Sequence, residues 1–303
     1  MNLAPLLTYA YVHCDGRYEE HTPMANYTSF HIGGPADLLI MPENFKEIQD
    51  LLTLGREMKV PVTIIGNGSN LLVRDGGIRG VVIKLGNALT QMQADGEHIT
   101  ADCGVSLAAL SNFAAREGLT GVEFAVGIPG SVGGAVLMNA GAYDGDMSKV
   151  VESASVLLPD GRIAEVKKDE FDFSYRHSSI QDHPGVILRV VFCLKRGDKA
   201  GIQSKMDDFM NRRRTKQPLE LPSAGSMFKR PPGYYAAALI DEAGLRGYRV
   251  GDAQVSEKHT GFVVNRGHAT AKDVLQLIKD VQDKVYAFKG VRLEPEVRII
   301  GEA

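Results

Sequence analysis

Cysteine is scarce in this 303-residue chain, and the three that occur, Cys14, Cys103 and Cys193, show no C-x-x-C spacing. This scarcity argues against a disulfide framework or a zinc site and fits a reducing compartment. Positive charge is not in excess either, because the formal net charge is −3. Without a broad basic face, neither nucleic acid nor an anionic membrane is expected as the main partner.

Long hydrophobic runs are also missing. No apolar stretch approaches the roughly 20 residues that a membrane-spanning helix needs, and residues 1–20 lack the basic leader of a secretory signal. We therefore expect a cytoplasmic location. The composition, 44% apolar and 23% charged, is that of an ordinary globular chain of two or three domains.

Glycine, in contrast, is concentrated in two loops. The stretch GIPGSVGGAVLMNAGAYDG (127–145) carries six glycines, and GNGSN (66–70) joins two apolar, strand-like runs. A dinucleotide-binding Rossmann turn would lead from a strand into a helix, so a nest of loop amides is the expected way to hold an anion here. Ordinary tight turns are the alternative. The predicted cofactor contacts are Gly66, Asn67, Gly68, Ser69, Asn70, Gly133, Gly134, Gly141 and Ala142.

Hydrophobic periodicity and turn residues predict an α+β chain in three parts, with domains at 1–85, 86–196 and 197–303. A hairpin turn is expected at Pro159-Asp160-Gly161, a linker at Arg196-Gly197-Asp198, and a helical capping box at Thr270 and Asp273. Predicted helices cover 44–58, 106–117 and 270–288, besides a polar helix that ends in the basic run 212–216. Predicted strands cover 60–65, 80–85, 98–103, 185–194, 261–265 and 294–300.

Six motifs, in order along nearly the whole chain, carry a resemblance to a known family. They are NYTSFHIGGPAD (26–37), GNGSNLLVRDGG (66–77), GIPGSVGGAVLMNAGAYDG (127–145), YRHSS (175–179), SAGSMFKRPPG (223–233) and LEPEVRIIGE (293–302). Together they resemble the UDP-N-acetylenolpyruvoylglucosamine reductases, in the shorter, type II branch.

The resemblance implies a two-subdomain FAD-binding domain of the vanillyl-alcohol-oxidase/PCMH type, followed by a C-terminal α+β substrate-binding domain. It further implies noncovalent FAD, NADPH as hydride source, a UDP-sugar nucleotide substrate and a cytoplasmic step of bacterial peptidoglycan synthesis. Cys103 and His31 are conceivable covalent flavin tethers. Packing roles are preferred for both, since the family does not attach its flavin. We expect a monomer and no metal.

Three residues are candidates for the chemistry. Arg176 offers a forked guanidinium that matches a carboxylate, although composition alone would make it a solvated surface charge. Ser226 lies among small residues without a G-x-S-x-G elbow, and most such serines belong to turns. Glu296 lies in an apolar segment where an ion pair with Arg298 is the alternative. The resemblance implies that Arg176 and Glu296 polarise the substrate and that Ser226 donates a proton.

Further contacts are implied by the resemblance alone. Lys216 would meet the UDP diphosphate and Arg213 the flavin, although a basic run at a helix end is usually solvated. Other candidate substrate-binding residues are Asn139, Tyr143, Tyr175, Lys229 and Arg230. Arg230 replaces the asparagine of the longer branch. The rival functions are a flavin oxidase of the same fold and a catalytically silent nucleotide-binding protein.

Overall fold

The computed structural model describes residues 1–86 and 88–303 and divides the chain into two compact units. Unit 1 comprises Met1–Glu19, Leu38–Asn67 and Gly80–Arg212, and unit 2 comprises Glu20–Asp37, Gly68–Arg79 and Arg213–Ala303. The expected α+β mixture is present. The three-domain division at 85/86 and 196/197 stays a prediction.

The helices are α1 (Ala4–His13), α2 (Phe45–Glu57), α3 (Leu107–Glu117), α4 (Val132–Leu137), α5 (Lys199–Lys216), α6 (Ala236–Glu242) and α7 (Ala271–Lys289). The strands are β1 (Tyr18–Pro23), β2 (Pro35–Ile40), β3 (Val62–Ile65), β4 (Leu71–Val73), β5 (Ile78–Lys84), β6 (Met92–Asp95), β7 (His98–Asp102), β8 (Leu119–Thr120), β9 (Gly141–Ala142), β10 (Gly145–Asp146), β11 (Val151–Leu157), β12 (Ile163–Lys167), β13 (Val186–Cys193), β14 (Lys195–Arg196), β15 (Ser223–Ser226), β16 (Arg249–Val250), β17 (Ala253–Val255), β18 (Phe262–Asn265) and β19 (Arg298–Ile300).

Unit 1 is built mainly on an antiparallel sheet with strand order β12-β11-β13-β7-β6. Strands β3 and β5, which pair in parallel, belong to a second sheet of order β1-β2-β5-β3. The apolar faces of α3 and α4 pack with the first sheet around Leu110, Val136 and Phe192. The amphipathic helix α2 buries Ile48 and Leu51 against the second.

Unit 2 contains the antiparallel sheet β15-β18-β17-β16, covered by α6 and α7. Helix α7 buries Val274, Leu277, Ile278 and Val281, which recur at the three- and four-residue spacing of one helix face. Strand β19 pairs in parallel with β4. The short parallel pair therefore joins the end of the chain to the segment that follows the first glycine loop.

Most predicted elements are confirmed, and several boundaries differ. The capping box of Thr270 and Asp273 is present, and the Pro159-Asp160-Gly161 turn connects β11 to β12. The predicted linker at 196–198 is partly wrong, because Lys195–Arg196 forms β14 against β8. A helix, α4, was not predicted within the second glycine loop. The predicted strand 294–300 is shorter and begins at Arg298.

Candidate functional site

The first glycine loop, 66–70, connects β3 directly to β4, as the sequence predicts. Among the described residues, none of the amides of Asn67 to Asn70 donates a hydrogen bond to a protein acceptor. Gly68 has a φ of +63°, and a Cβ there would clash with the Tyr27 carbonyl oxygen. Glycine is therefore required at this position, and the loop presents main-chain donors of the kind that bind anions.

Gly66 brings this loop close to the second glycine loop within unit 1. A Cβ on Gly66 would lie 2.5 Å from Ser131 Oγ, at the residue that precedes α4. A Cβ on Gly134 would meet only Ser131 Oγ, at 3.4 Å. The two loops thus meet at Ser131, whose hydroxyl lies so close to Gly66 that a side chain at position 66 would clash with it.

Gly133 has a different structural role. Its amide donates to the Cys103 carbonyl at 2.9 Å, and a Cβ would lie 3.0 Å from Cys103 Cβ. This glycine therefore allows α4 to pack closely against the residue that follows β7, and its amide is occupied within the protein. Burial raises the pKa of the Cys103 thiol to about 12, which disfavours the alternative of a covalent flavin tether.

Gly141 and Ala142 form β9, which pairs with β10 across a tight turn at Tyr143 and Asp144. Both turn residues have positive φ, +50° and +63°. The Tyr143 ring stacks on Phe209 with centroids 4.4 Å apart, and its hydroxyl donates to the Phe209 carbonyl at 3.2 Å. Tyr143 is therefore held against α5 of unit 1.

Arg176 lies at the tip of a tight turn. Ser174 and His177 exchange both backbone hydrogen bonds at 3.2 Å, which leaves Tyr175 and Arg176 as the two central residues. Arg176 has a φ of +57°, an uncommon conformation for a side chain of this size. Its guanidinium lies 5.2 Å above the Tyr175 ring. Such strain concentrates where surrounding contacts fix a functional geometry.

Three polar side chains hold this turn to the end of α4. Asn139 Nδ2 donates to the Ser174 carbonyl at 2.9 Å, and Ser178 Oγ donates to the Leu137 carbonyl at 2.8 Å. Gln181 Nε2 donates to the same Leu137 oxygen at 2.8 Å and to the Arg176 carbonyl at 3.2 Å. We call Asn139, Ser178 and Gln181 the turn clamp.

The sequence reasoning missed Ser178 and Gln181 as residues that position Arg176. Ser178 is the last residue of YRHS (175–178) and Gln181 follows three residues later, so their polarity next to a candidate active-site arginine was the available signal. Asn139 was predicted to bind substrate, yet both polar atoms of its amide are used within the protein: Nδ2 by Ser174 and Oδ1 by the Ser148 amide at 3.0 Å.

In unit 2 the structure brings Ser226 and Glu296 onto paired, extended segments. The Glu296 amide donates to the carbonyl of Met227, the neighbour of Ser226, at 2.8 Å. A register shift between Ser223 and Ser226 marks a β-bulge that includes Gly225, whose φ is +77°. Bulges redirect side chains and often adjoin active sites. A Cβ on Gly225 would meet no atom within 4 Å, so the backbone before Ser226 is open.

Glu296 is also tied to the first glycine loop. Asn70 Nδ2 donates to the Glu296 carbonyl at 3.3 Å, and the Arg298 amide donates to the Asn70 carbonyl at 2.9 Å. Glu296 is half-buried, whereas Leu293 and Val297 are buried. The predicted cofactor residue Asn70 thus helps to position the predicted catalytic carboxylate.

The remaining candidates are basic or aromatic surface residues. Lys229 Nζ lies 3.4 Å from a carboxylate oxygen of Glu294, the other glutamate of the terminal motif. The Arg230 guanidinium stacks 4.0 Å above the Tyr235 ring. Arg213 and Lys216 lie in the last turn of α5, and Lys216 is exposed.

No helix among the described residues is both long and apolar enough to cross a membrane.

Comparison with known proteins identifies two family domains. Residues 36–167 match an FAD binding domain, and residues 217–300 match the C-terminal domain of UDP-N-acetylenolpyruvoylglucosamine reductase. The chain is 52% identical to the UDP-N-acetylenolpyruvoylglucosamine reductase of Clostridium novyi (strain NT) over 92% of this chain and 91% of that protein. It is 53% identical to the enzyme of the same name from Levilactobacillus brevis, over 92% of each.

Solved structures agree with this result. The UDP-N-acetylenolpyruvylglucosamine reductase (MurB) of Thermus caldophilus superposes with a TM-score of 0.81 at 39% identity, over 93% of this chain and 98% of that one. An alkyldihydroxyacetonephosphate synthase, at 14% identity and a TM-score of 0.50 over 65% of this chain, shares part of the fold. The predicted family and fold class are confirmed, and the chain belongs to the UDP-N-acetylenolpyruvoylglucosamine reductase family.

Proposed function

We propose that this chain reduces the enolpyruvyl group of UDP-N-acetylenolpyruvoylglucosamine to the D-lactyl ether of UDP-N-acetylmuramate, in peptidoglycan precursor synthesis. NADPH is the electron donor and FAD the noncovalent carrier. The observation that carries the proposal is the pairing of Ser226 and Glu296 on adjacent extended segments, with Glu296 also tied to Asn70 of the glycine loop. A cytoplasmic location, a monomeric state and the type II branch remain predictions.

The residues of the glycine loops fit FAD. The amides of Asn67 to Asn70 are available to a diphosphate. Gly66 and Gly134 let the two loops approach each other at Ser131. A chain of net charge −3 has no broad basic face to attract an anion, so local main-chain dipoles suit it. When bound, FAD supplies hydride transfer from NADPH to the terminal vinyl carbon of the substrate.

The protein's own residues then act on the other end of the double bond. Negative charge develops at the carbon next to the substrate carboxylate, and Arg176 and Glu296 polarise that carboxylate in our assignment. Ser226 Oγ donates its proton to this carbon, which completes the addition of hydride and proton across the double bond. A positioned general acid contributes about 10²- to 10⁴-fold. A serine hydroxyl is weakly acidic, but a carbanion-like carbon is basic enough to accept its proton.

Substrate recognition is assigned to the remaining basic and aromatic residues. Lys216 binds the diphosphate of the sugar nucleotide and Arg213 contacts the flavin. Tyr143 and Tyr175 contact the sugar region, and Lys229 and Arg230 contact the nucleotide. Asn139 acts mainly through the turn that carries Arg176, since its side chain already makes two hydrogen bonds within the protein.

The proposal is tested by separating the two half-reactions of Ser226→Ala by stopped-flow flavin absorbance. We expect FAD reduction by NADPH at the wild-type rate and reoxidation by the enolpyruvyl substrate slowed about 10²-fold or more. Ser223→Ala is the matched control, because Ser223 lies in the same strand and its backbone amide and carbonyl bond with Ser29.

Equal loss of both half-reactions in Ser226→Ala would reject the role of proton donor. Rapid reoxidation of the reduced wild-type enzyme by air, without the enolpyruvyl substrate, would favour the flavin oxidase instead. A purified protein that is colourless and takes up no FAD would favour the silent nucleotide-binding protein.

A further inference from the structure

A cluster of three potential metal ligands lies on the large sheet of unit 1, and the proposed reaction does not use it. His98, Glu152 and Cys193 belong to β7, β11 and β13, the three neighbouring strands of that sheet. One ligand atom of each residue lies within 4.8 Å of those of the other two, and His98 Nε2 lies 3.0 Å from Glu152 Oε2. The three side chains therefore converge on one point of the sheet surface.

The strand register explains this convergence. Cys193 pairs directly with His98, so their side chains extend from the same face. A register shift between Val151 and Ser153 makes Glu152 an extra residue, a β-bulge in β11. Val151, the residue before Glu152, pairs with Phe192, and both side chains are buried in the core. Alternation along β11 therefore places the Glu152 carboxylate on the opposite face, that of Cys193, where it reaches across β13 to His98.

We propose that His98, Glu152 and Cys193 form a binding site for a thiophilic divalent cation of the zinc type. Imidazole nitrogen, carboxylate oxygen and thiolate sulfur are the usual zinc ligands, with bonds of about 2.0 to 2.3 Å. Tetrahedral ligands at those bond lengths lie about 3.5 Å apart. The present spacing needs only a small side-chain rotation, and water completes the fourth position.

Binding exchanges one set of bonds for another. The Cys193 thiol loses its proton to solvent as the sulfur–zinc bond forms, and the hydrogen bond between His98 and Glu152 is replaced by two metal bonds. No electron transfer is involved. The side chains of His98 and Glu152 are 46% and 49% exposed, so zinc can reach them from solvent.

Thiol protection tests the site in the untagged FAD-loaded enzyme. Among the three cysteines, only Cys193 is exposed. Burial raises the pKa of the Cys14 and Cys103 thiols, to about 11 and about 12. A thiol reagent therefore reports mainly on Cys193. We expect one equivalent of zinc chloride to slow alkylation strongly, and metal analysis after dialysis to find one zinc per chain.

Variants distinguish the cluster from a thiol that binds zinc alone. We expect His98→Ala and Glu152→Gln each to weaken zinc binding on the order of tenfold or more, since even outer-shell partners of a metal contribute about 10- to 100-fold. Cys193→Ser should lose the stoichiometric zinc. His183→Ala is the matched control, because His183 is an exposed histidine of the same unit outside the cluster.

Protection that is unchanged in both His98→Ala and Glu152→Gln would overturn the proposal, as would zinc retained at full stoichiometry by Cys193→Ser. Absence of protection in the wild type at micromolar zinc would overturn it as well. The site lies outside the proposed catalytic residues, so the flavin half-reactions serve only to show that each variant is folded.

Discussion

Replacement of Gln181 by methionine tests whether the turn clamp positions Arg176. The substitution keeps the length of the side chain but removes the donor that bonds the Leu137 and Arg176 carbonyls. Each such hydrogen bond contributes about 0.5 to 1.5 kcal/mol net, so the clamp loses roughly 1 to 3 kcal/mol. The Leu137 carbonyl keeps its hydrogen bond from Ser178 Oγ, so the substitution does not leave this oxygen without a donor.

The expected effect on rate follows from the strain in the turn. A non-glycine residue in a left-handed conformation costs about 1 to 3 kcal/mol, which is the size of the contribution that the substitution removes. We expect Gln181→Met to slow flavin reoxidation by substrate roughly 5- to 150-fold, because each 1.36 kcal/mol changes a rate about tenfold. FAD reduction by NADPH should be unchanged.

Two controls separate positioning from general damage. Ser179→Ala removes a neighbouring side-chain hydrogen bond, to the Glu170 carbonyl at 2.7 Å, that does not involve the Arg176 turn. In an Arg176→Lys background, Gln181→Met should cost much less, since residues that act through one group are not additive. Full additivity in this double-mutant cycle, or equal loss of both half-reactions, would refute the reasoning.

Two further predictions concern stability. Gly68→Ala combines a φ of +63° with a clash at the Tyr27 carbonyl, so it should lower the free energy of unfolding at least ~2 kcal/mol more than Gly96→Ala. Gly96 has a φ of +60° and no atom within 4 Å of a Cβ built there, so Gly96→Ala carries only the cost of the backbone conformation. Equal melting temperatures for Gly68→Ala and Gly96→Ala would contradict this prediction. Burial opposes ionisation of Glu123, but its hydrogen bonds and the Lys205 ammonium outweigh that and lower its pKa. A lowered pKa stabilises the fold above the unfolded value of about 4.3 and loses that contribution on acidification. Glu123→Gln should therefore lower the melting temperature at pH 7 and reduce the loss of melting temperature on acidification. A variant whose melting temperature is lowered equally at every pH would contradict the assignment.

The elements that the sequence predicted best are those whose signals lie within a few residues. Asn44 caps α2 by accepting from the Glu47 amide, and Ser106 caps α3 in the same way. The capping box of Thr270 and Asp273 starts α7 at the expected residue. A side chain that satisfies a helix amide is encoded locally, so one sequence suffices to locate it.

Helix α4 was missed for the opposite reason. Two adjacent glycines, Gly133 and Gly134, disfavour a helix on propensity alone. The helix forms because Gly133 allows close packing on Cys103, some thirty residues away in the chain, and accommodates a hydrogen bond to its carbonyl. A tertiary contact of this kind leaves no periodic signal in the sequence.

The terminal motif shows the same limit at the candidate catalytic site. Its extended segment changes partner along its length: Glu296 bonds the Met227 carbonyl, whereas Arg298 bonds the Asn70 carbonyl and begins β19. This change of partner explains why the regular strand starts later than periodicity predicts. It also fixes the Glu296 backbone from both sides, through residues about 70 and about 226 positions distant. The place of this carboxylate is therefore a property of the assembled unit 2. For that reason the motif alone could not place Glu296 in space, and the catalytic role of Glu296 stays a prediction.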